Sequence, residues 1–149
     1  MDRSKTGTKR SLLVEAGGVP VGLSVAGANR NDFKLLAETF QNIPVARPKP
    51  TRHHPQHVCL DKGYDYDEVR AILQTYGFVA HIRSRGEEAA ARKMKPGQKA
   101  RRWVVERTHS WFNRFRSILT RWSKKAENYL GMLYFVCGLT AYRAALFFG

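Results

Sequence analysis

A chain of 149 residues can bury the core of one compact domain, and its 26 Lys and Arg against 12 Asp and Glu give a formal charge of +14. An apolar share of 43% excludes a disordered tail, and the cationic surplus points to a polyanionic partner, nucleic acid first. Cys59 and Cys137 are far apart in apolar surroundings, which excludes a disulfide framework and suggests buried thiols in a reducing cytoplasm.

Residues 1–8 are polar and charged, a loop with no signal-peptide character. Lys9–Glu15 and Val19–Ala26 flank Gly17-Gly18 and predict two strands of a hairpin. Asn31 or Asp32 can cap a helix reaching about Asn42, with Phe33, Leu35, Leu36 and Phe40 as its apolar side. Residues 44–56 hold four prolines and a basic run and predict a surface loop. A short apolar strand, His57–Asp61, ends on an acid before Gly63 turns the chain. Asp65 with Glu68 forms a candidate capping box for a helix over Tyr66–Tyr76, and Phe78–Ile82 follows as a strand.

Residues 83–99 form a polar, basic loop. From about Lys99 to Leu119 the period is helical, with Trp103, Val104, Trp111, Phe112, Phe115 and Ile118 on or near one face. A final helix spans about Ala126–Phe147. Its apolar run holds Gly131, Gly138, Thr140 and Arg143, which favours a buried helix over a membrane span. The order predicts one mixed α/β domain.

Two carboxylates stand out. Asp61 ends a strand, the usual place for site residues in α/β sheets. Glu106 lies 45 positions later, within a basic helix rich in aromatic residues. Carboxylates from separate elements can hold one or two Mg²⁺ ions that activate the attacking oxygen and stabilise the leaving oxygen of a phosphodiester. The structural alternatives are a turn acid bonded to backbone for Asp61, and an ion pair with Arg102 or another nearby arginine for Glu106. A further alternative is a small metal site from His53, His54, His57 and Cys59, although that spacing lacks a second cluster. His81 and His109 are expected on strand and helix surfaces, and Trp103, Trp111 and Trp122 in the core rather than on base-stacking surfaces.

Asp61-Lys-Gly-Tyr-Asp65, Trp103-Val-Val-Glu-Arg-Thr-His-Ser-Trp-Phe-Asn-Arg-Phe-Arg116, Glu127-Asn-Tyr-Leu130 and Gly27-Ala-Asn-Arg-Asn-Asp32 together closely resemble the C-terminal half of insertion-sequence DDE transposases of the four and five groups. The resemblance covers nearly all of the chain. It implies an RNase H-like mixed sheet with flanking helices. It also implies Mg²⁺- or Mn²⁺-dependent cleavage and strand transfer at the terminal inverted repeats of a mobile element, in the cytoplasm. Asp61 takes the place of the second acid and Glu106 of the third, both as metal ligands, with Arg102 as the catalytic arginine. Where many relatives carry tyrosine and lysine around the third acid, this chain has Lys99 and Asn113, and Arg114 is a substitute cation. Arg101, Arg107, Asn113, Arg114, Arg116, Arg121, Lys124 and Lys125 are the expected DNA contacts.

The family's first acid lies on a central strand ahead of the hairpin. Asp2, in a polar loop, does not fit it, and Glu15 and Asp32 resemble a hairpin-end acid and a helix cap. Residues 1–149 are therefore expected to form a single catalytic domain that lacks its first strand, is marginally stable and is inactive alone. An upstream transposase segment and further copies of the chain are the expected protein partners. The competing function is a non-catalytic DNA-binding regulator of the full transposase.

Overall fold

The computed structural model describes residues 7–82 and 103–148. Its backbone contacts divide the chain into two compact units, Met1–Val45 with Trp103–Gly149, and Ala46–Arg102. Both mix helices with strands. Among the described residues the strands make two two-stranded sheets.

The first unit is organised on the expected hairpin. Strands β1 (Thr8–Val14) and β2 (Pro20–Gly27) pair antiparallel from Thr8↔Gly27 to Val14↔Pro20, with an irregularity between Leu13 and Val14. Gly18 makes the reversal possible, since its φ of +90° is costly for any residue with a Cβ. Glu15 closes the turn with both its backbone and its carboxylate, which accepts from Val19 N at 2.9 Å.

Helix α1 (Asp32–Gln41) covers one face of the hairpin through Leu35, Leu36, Thr39 and Phe40, all buried. Its backbone approaches β2 so closely that a Cβ on Gly22 would lie 2.7 Å from the Thr39 carbonyl oxygen. A glycine inside a strand here marks a close approach of two backbones. The buried Thr39 hydroxyl lies 2.8 Å from Ser24 Oγ and 2.7 Å from Ser11 Oγ, so the polar atoms in this seam satisfy one another. Asn31 occupies the N-cap position without a side-chain bond. Asp32 instead forms an ion pair with Lys9 at 3.1 Å.

The other face of the hairpin meets helices α3 (Trp103–Phe112), α4 (Arg116–Leu119) and α5 (Ala126–Phe148). Leu23, Phe112, Ile118, Tyr129, Leu133 and Val136 form the core, flanked by Leu12, Val25 and Phe115. The single helix expected from Lys99 to Leu119 is broken over 113–115. Arg114, Phe115 and Ile118 each donate backbone bonds to the residue three before them. Phe115, extended at the end of this break, starts the next helix, and Phe112, Phe115 and Ile118 all reach one core. The buried stripe of α3 is Val104, Thr108 and Phe112. Contrary to the sequence expectation, Trp103 is exposed, as is Trp122 at 81%.

Among the described residues of α5, Tyr129, Leu133 and Val136 are deeply buried, and Phe135, Tyr142, Leu146 and Phe147 remain exposed. Its Ala126–Phe147 stretch, with mean hydropathy 1.5, is long and apolar enough to cross a membrane by length and composition.

The second unit is a β–α–β arrangement. Strands β3 (Gln56–Leu60) and β4 (Phe78–Ile82) pair in parallel, joined by a 3₁₀ turn at Lys62–Tyr64 and helix α2 (Asp67–Thr75). Among its described residues Val58, Val69 and Leu73 are the buried apolar ones. The proline-rich loop folds back on the end of α2. Arg47 bonds the Tyr76 carbonyl and stacks 4.1 Å from the Phe78 ring centroid, and Pro50 packs against Gly77. The capping box does not form: Asp65 pairs with Arg70 at 2.5 Å, and Tyr66 takes the N-cap position without a side-chain bond.

Thr108 Oγ1, fully buried, donates to the Gly18 carbonyl at 2.7 Å and ties α3 to the hairpin turn. Thr108→Val keeps the shape and removes the donor. It is expected to cost about 1–3 kcal/mol, the penalty for a buried acceptor left unpaired, read as a lower urea midpoint at unchanged m-value.

Candidate functional site

Asp61 begins where β3 stops. Its side chain accepts from Lys62 N at 2.7 Å and so opens the 3₁₀ turn that carries the chain into α2. The backbone-bonded turn acid considered from sequence is therefore realised, at an exposed position in the second unit. One carboxylate oxygen spent on its own turn orients the group without removing its capacity for a cation.

Glu106 lies in the first turn of α3, exposed, in the first unit. Among the described residues no cation forms an ion pair with it, and no cluster of three or more His, Cys, Asp or Glu is placed to hold a metal. Arg101 and Arg102, the expected DNA contact and catalytic arginine, lie outside the described residues, as does Lys99.

The remaining expected DNA contacts divide into two classes. Arg107 is built into the fold. Its guanidinium carbon lies 4.7 Å and 4.9 Å from the ring centroids of Trp103 and Trp111, and Nη2 donates to the Gly17 carbonyl at 2.5 Å. Arg121 likewise organises its own loop, donating to the Ser123 and Lys124 carbonyls and to Thr8 Oγ1, each at 3.0 Å. Arg114, Arg116, Lys124 and Lys125 are exposed and present their charge to solvent.

Asn113 is exposed, and its amide oxygen accepts from Arg10 Nη2 at 3.2 Å. Arg10 was not singled out from the sequence. Strand alternation could have found it, because Arg10 and Leu12 share a face of β1 and Leu12 packs on the core beside α5. His109, one turn before Asn113, is half-buried rather than a plain surface residue. Burial, and then the nearby Arg10 charge, lower its pKa.

A cavity of about 690 Å³ opens in the first unit between the hairpin turn, the end of α3 and the last turns of α5. Its lining is mainly apolar, includes Trp111, Phe115 and Phe147, and carries Glu15, Arg114 and Arg143, but neither proposed metal acid. The two cysteines differ. Cys59 is exposed on β3, contrary to the buried thiol expected, whereas burial pushes the Cys137 thiol up to about 11.

A family model described as the transposase DDE domain matches residues 58–142. The protein described as "Putative transposase for insertion sequence element IS402", from Burkholderia cepacia, is 33% identical over 142 residues, covering 93% of this chain. The chain spans 64% of that relative's length. No solved structure matches the chain.

Two outcomes follow from the titratable groups. His109 stays neutral in the folded state to lower pH than in the unfolded chain, so the unfolded state binds the extra proton first. Stability is therefore expected to fall as pH drops below about 6.5, the unperturbed histidine value, and His109→Gln should flatten that slope in urea titrations at stepped pH. Iodoacetamide at pH 8 should alkylate Cys59 at least tenfold faster than Cys137, read by peptide mass mapping, since the thiolate is the reactive species.

Proposed function

The chain belongs to the DDE transposase family, and on that premise we propose that it supplies catalytic carboxylates for metal-dependent DNA cleavage and strand transfer at insertion-sequence ends. Asp61 and Glu106 are the second and third acids of the set. The observation that carries this reading is the form of the Asp61 segment: a strand that ends directly on an exposed carboxylate, held by its own turn, inside the span matched by the family model. The two units would then be parts of one RNase H-like catalytic domain.

Mg²⁺ or Mn²⁺ would be held by carboxylate oxygens, a hard donor set suited to hard cations. When bound, the ions activate the attacking oxygen and stabilise the leaving oxygen of the phosphodiester. The chain's own groups do the rest. Asp61 presents an oriented carboxylate, and Glu106 adds a second one that is not neutralised by any described cation. Arg102 is the proposed catalytic arginine. Arg101, Arg114, Arg116, Lys124 and Lys125 hold the phosphate backbone. Asn113 with Arg10 offers an amide and a guanidinium where many relatives have a lysine. Arg107 and Arg121 act chiefly by holding α3 and the segment after α4 in place.

Because the chain spans 64% of its relative, the full reaction is proposed for the protein at that greater length, with an upstream segment as partner and DNA as substrate. The cytoplasm is the proposed compartment, and self-association is part of the same proposal.

The test is cleavage of a labelled insertion-sequence-end duplex in Mn²⁺ by this chain alone and by the chain joined to the upstream segment. Activity is expected in the joined protein only. Asp61→Ala and Glu106→Ala should each lower it by more than about 100-fold while leaving salt-sensitive duplex binding intact, because phosphate contacts, not the acids, release counterions. Cleavage that survives both substitutions would overturn the assignment. Binding with no cleavage in either form would favour a DNA-binding regulator.

A further inference from the structure

The second unit holds a cluster that the transposase reading does not use. Val58 on β3 is buried, while its neighbours His57 and Cys59 are exposed, so alternation sends the latter two to the opposite face of the sheet. On β4, Val79 and His81 are exposed on that same face, and the parallel register sets His57 against Val79 and Cys59 against His81. The two imidazoles reach towards each other across this register. His57 Nδ1 lies 2.8 Å from His81 Nε2, with ring centroids 5.0 Å apart and ring planes 35° apart.

We propose that this face of the β3–β4 pair binds a borderline transition-metal cation of the Zn²⁺ or Co²⁺ kind through His57 Nδ1 and His81 Nε2, with Cys59 as a third donor. In the metal-free protein the 2.8 Å contact is a hydrogen bond, with one ring N–H donating to the other ring's lone pair. Two nitrogens about 2.0–2.1 Å from a tetrahedral metal stand about 3.3 Å apart, so the rings must separate by about half an ångström and tilt until both lone pairs point at the ion. Both residues are exposed, so the adjustment takes place at the surface. Coordination moves the bridging proton to the donor ring's other nitrogen, so neither imidazole loses a proton. Cys59 releases its thiol proton to solvent and binds as thiolate.

Among the described residues no three donor side chains yet converge on one point. Cys59, opposite His81 in the register, is the third donor this site would take, with water filling the remaining position. Imidazole and thiolate select Zn²⁺ and Co²⁺ over Mg²⁺, which separates this site chemically from carboxylate sites. The inference is independent of the transposase reading, since it uses neither Asp61 nor Glu106.

The experiment is a Co²⁺ titration of the full 149-residue chain carrying Asp61→Asn and Glu106→Gln, so that those carboxylates do not contribute. One equivalent of Co²⁺ is expected to give visible d–d bands of four-coordination and a near-ultraviolet thiolate-to-cobalt band. His57→Gln and His81→Gln should each weaken binding by more than about tenfold, the loss that removing even an outer-shell partner produces. Cys59→Ser should erase the near-ultraviolet band while residual binding persists. Far-ultraviolet circular dichroism checks that each variant keeps its fold. Absence of saturable binding would overturn the proposal. So would binding that survives both histidine substitutions, or binding that is lost instead with His53→Gln and His54→Gln.

Discussion

The attachment of α3 to the hairpin turn is the constraint on which the first unit depends. Thr108 and Arg107 both donate to the turn, at the Gly18 and Gly17 carbonyls, and no strand pairing joins these elements. Gly18 has to be a glycine because its φ is positive, and a Cβ there would also crowd the buried Thr108 Oγ1 at 3.1 Å. The same short segment therefore reverses the hairpin and receives the helix. Val104 and Phe112, on the Thr108 stripe, then meet the core at a fixed angle, and Glu106 is directed to the exposed side of the helix.

Most of the regular elements were legible in the sequence because local signals agreed with tertiary ones. Gly17-Gly18 between two alternating runs marked the hairpin, and Gly77 marked the end of α2. Other readings failed where a local signal met a competing partner or a break in the backbone. Asp65 has the right neighbours for a capping box, yet Arg70 offers it a full opposite charge. The stretch through Leu119 has a helical period, yet a turn at 113–114 and an extended Phe115 interrupt it. Gly22 was unremarkable in sequence, because only the approach of α1 shows what it makes room for.

At the candidate site, the sequence anticipated the local setting of Asp61 better than the contacts of the arginines. Asp61 lies at a strand end, as its surroundings implied. For the arginines, charge alone did not distinguish a contact with DNA from a contact within the fold. Arg47, Arg107 and Arg121 each satisfy backbone carbonyls and lie over an aromatic ring. A guanidinium can do both at once, since its donors lie in the plane and its faces are free to stack. Such contacts leave the guanidinium charge in place, so these arginines still contribute to the formal charge of +14 while being fixed in position.

The bond between Thr108 and Gly18 spans 90 positions. During synthesis at roughly 5–20 residues per second, the hairpin and α1 would wait on the order of 5–20 s for the helix that covers them. Over that interval Leu12, Leu23 and Val25 have no core to enter, whereas the elements of the second unit emerge consecutively and close through short-range contacts. The order of emergence thus leaves the helix-facing side of the hairpin among the last surfaces of the first unit to be covered.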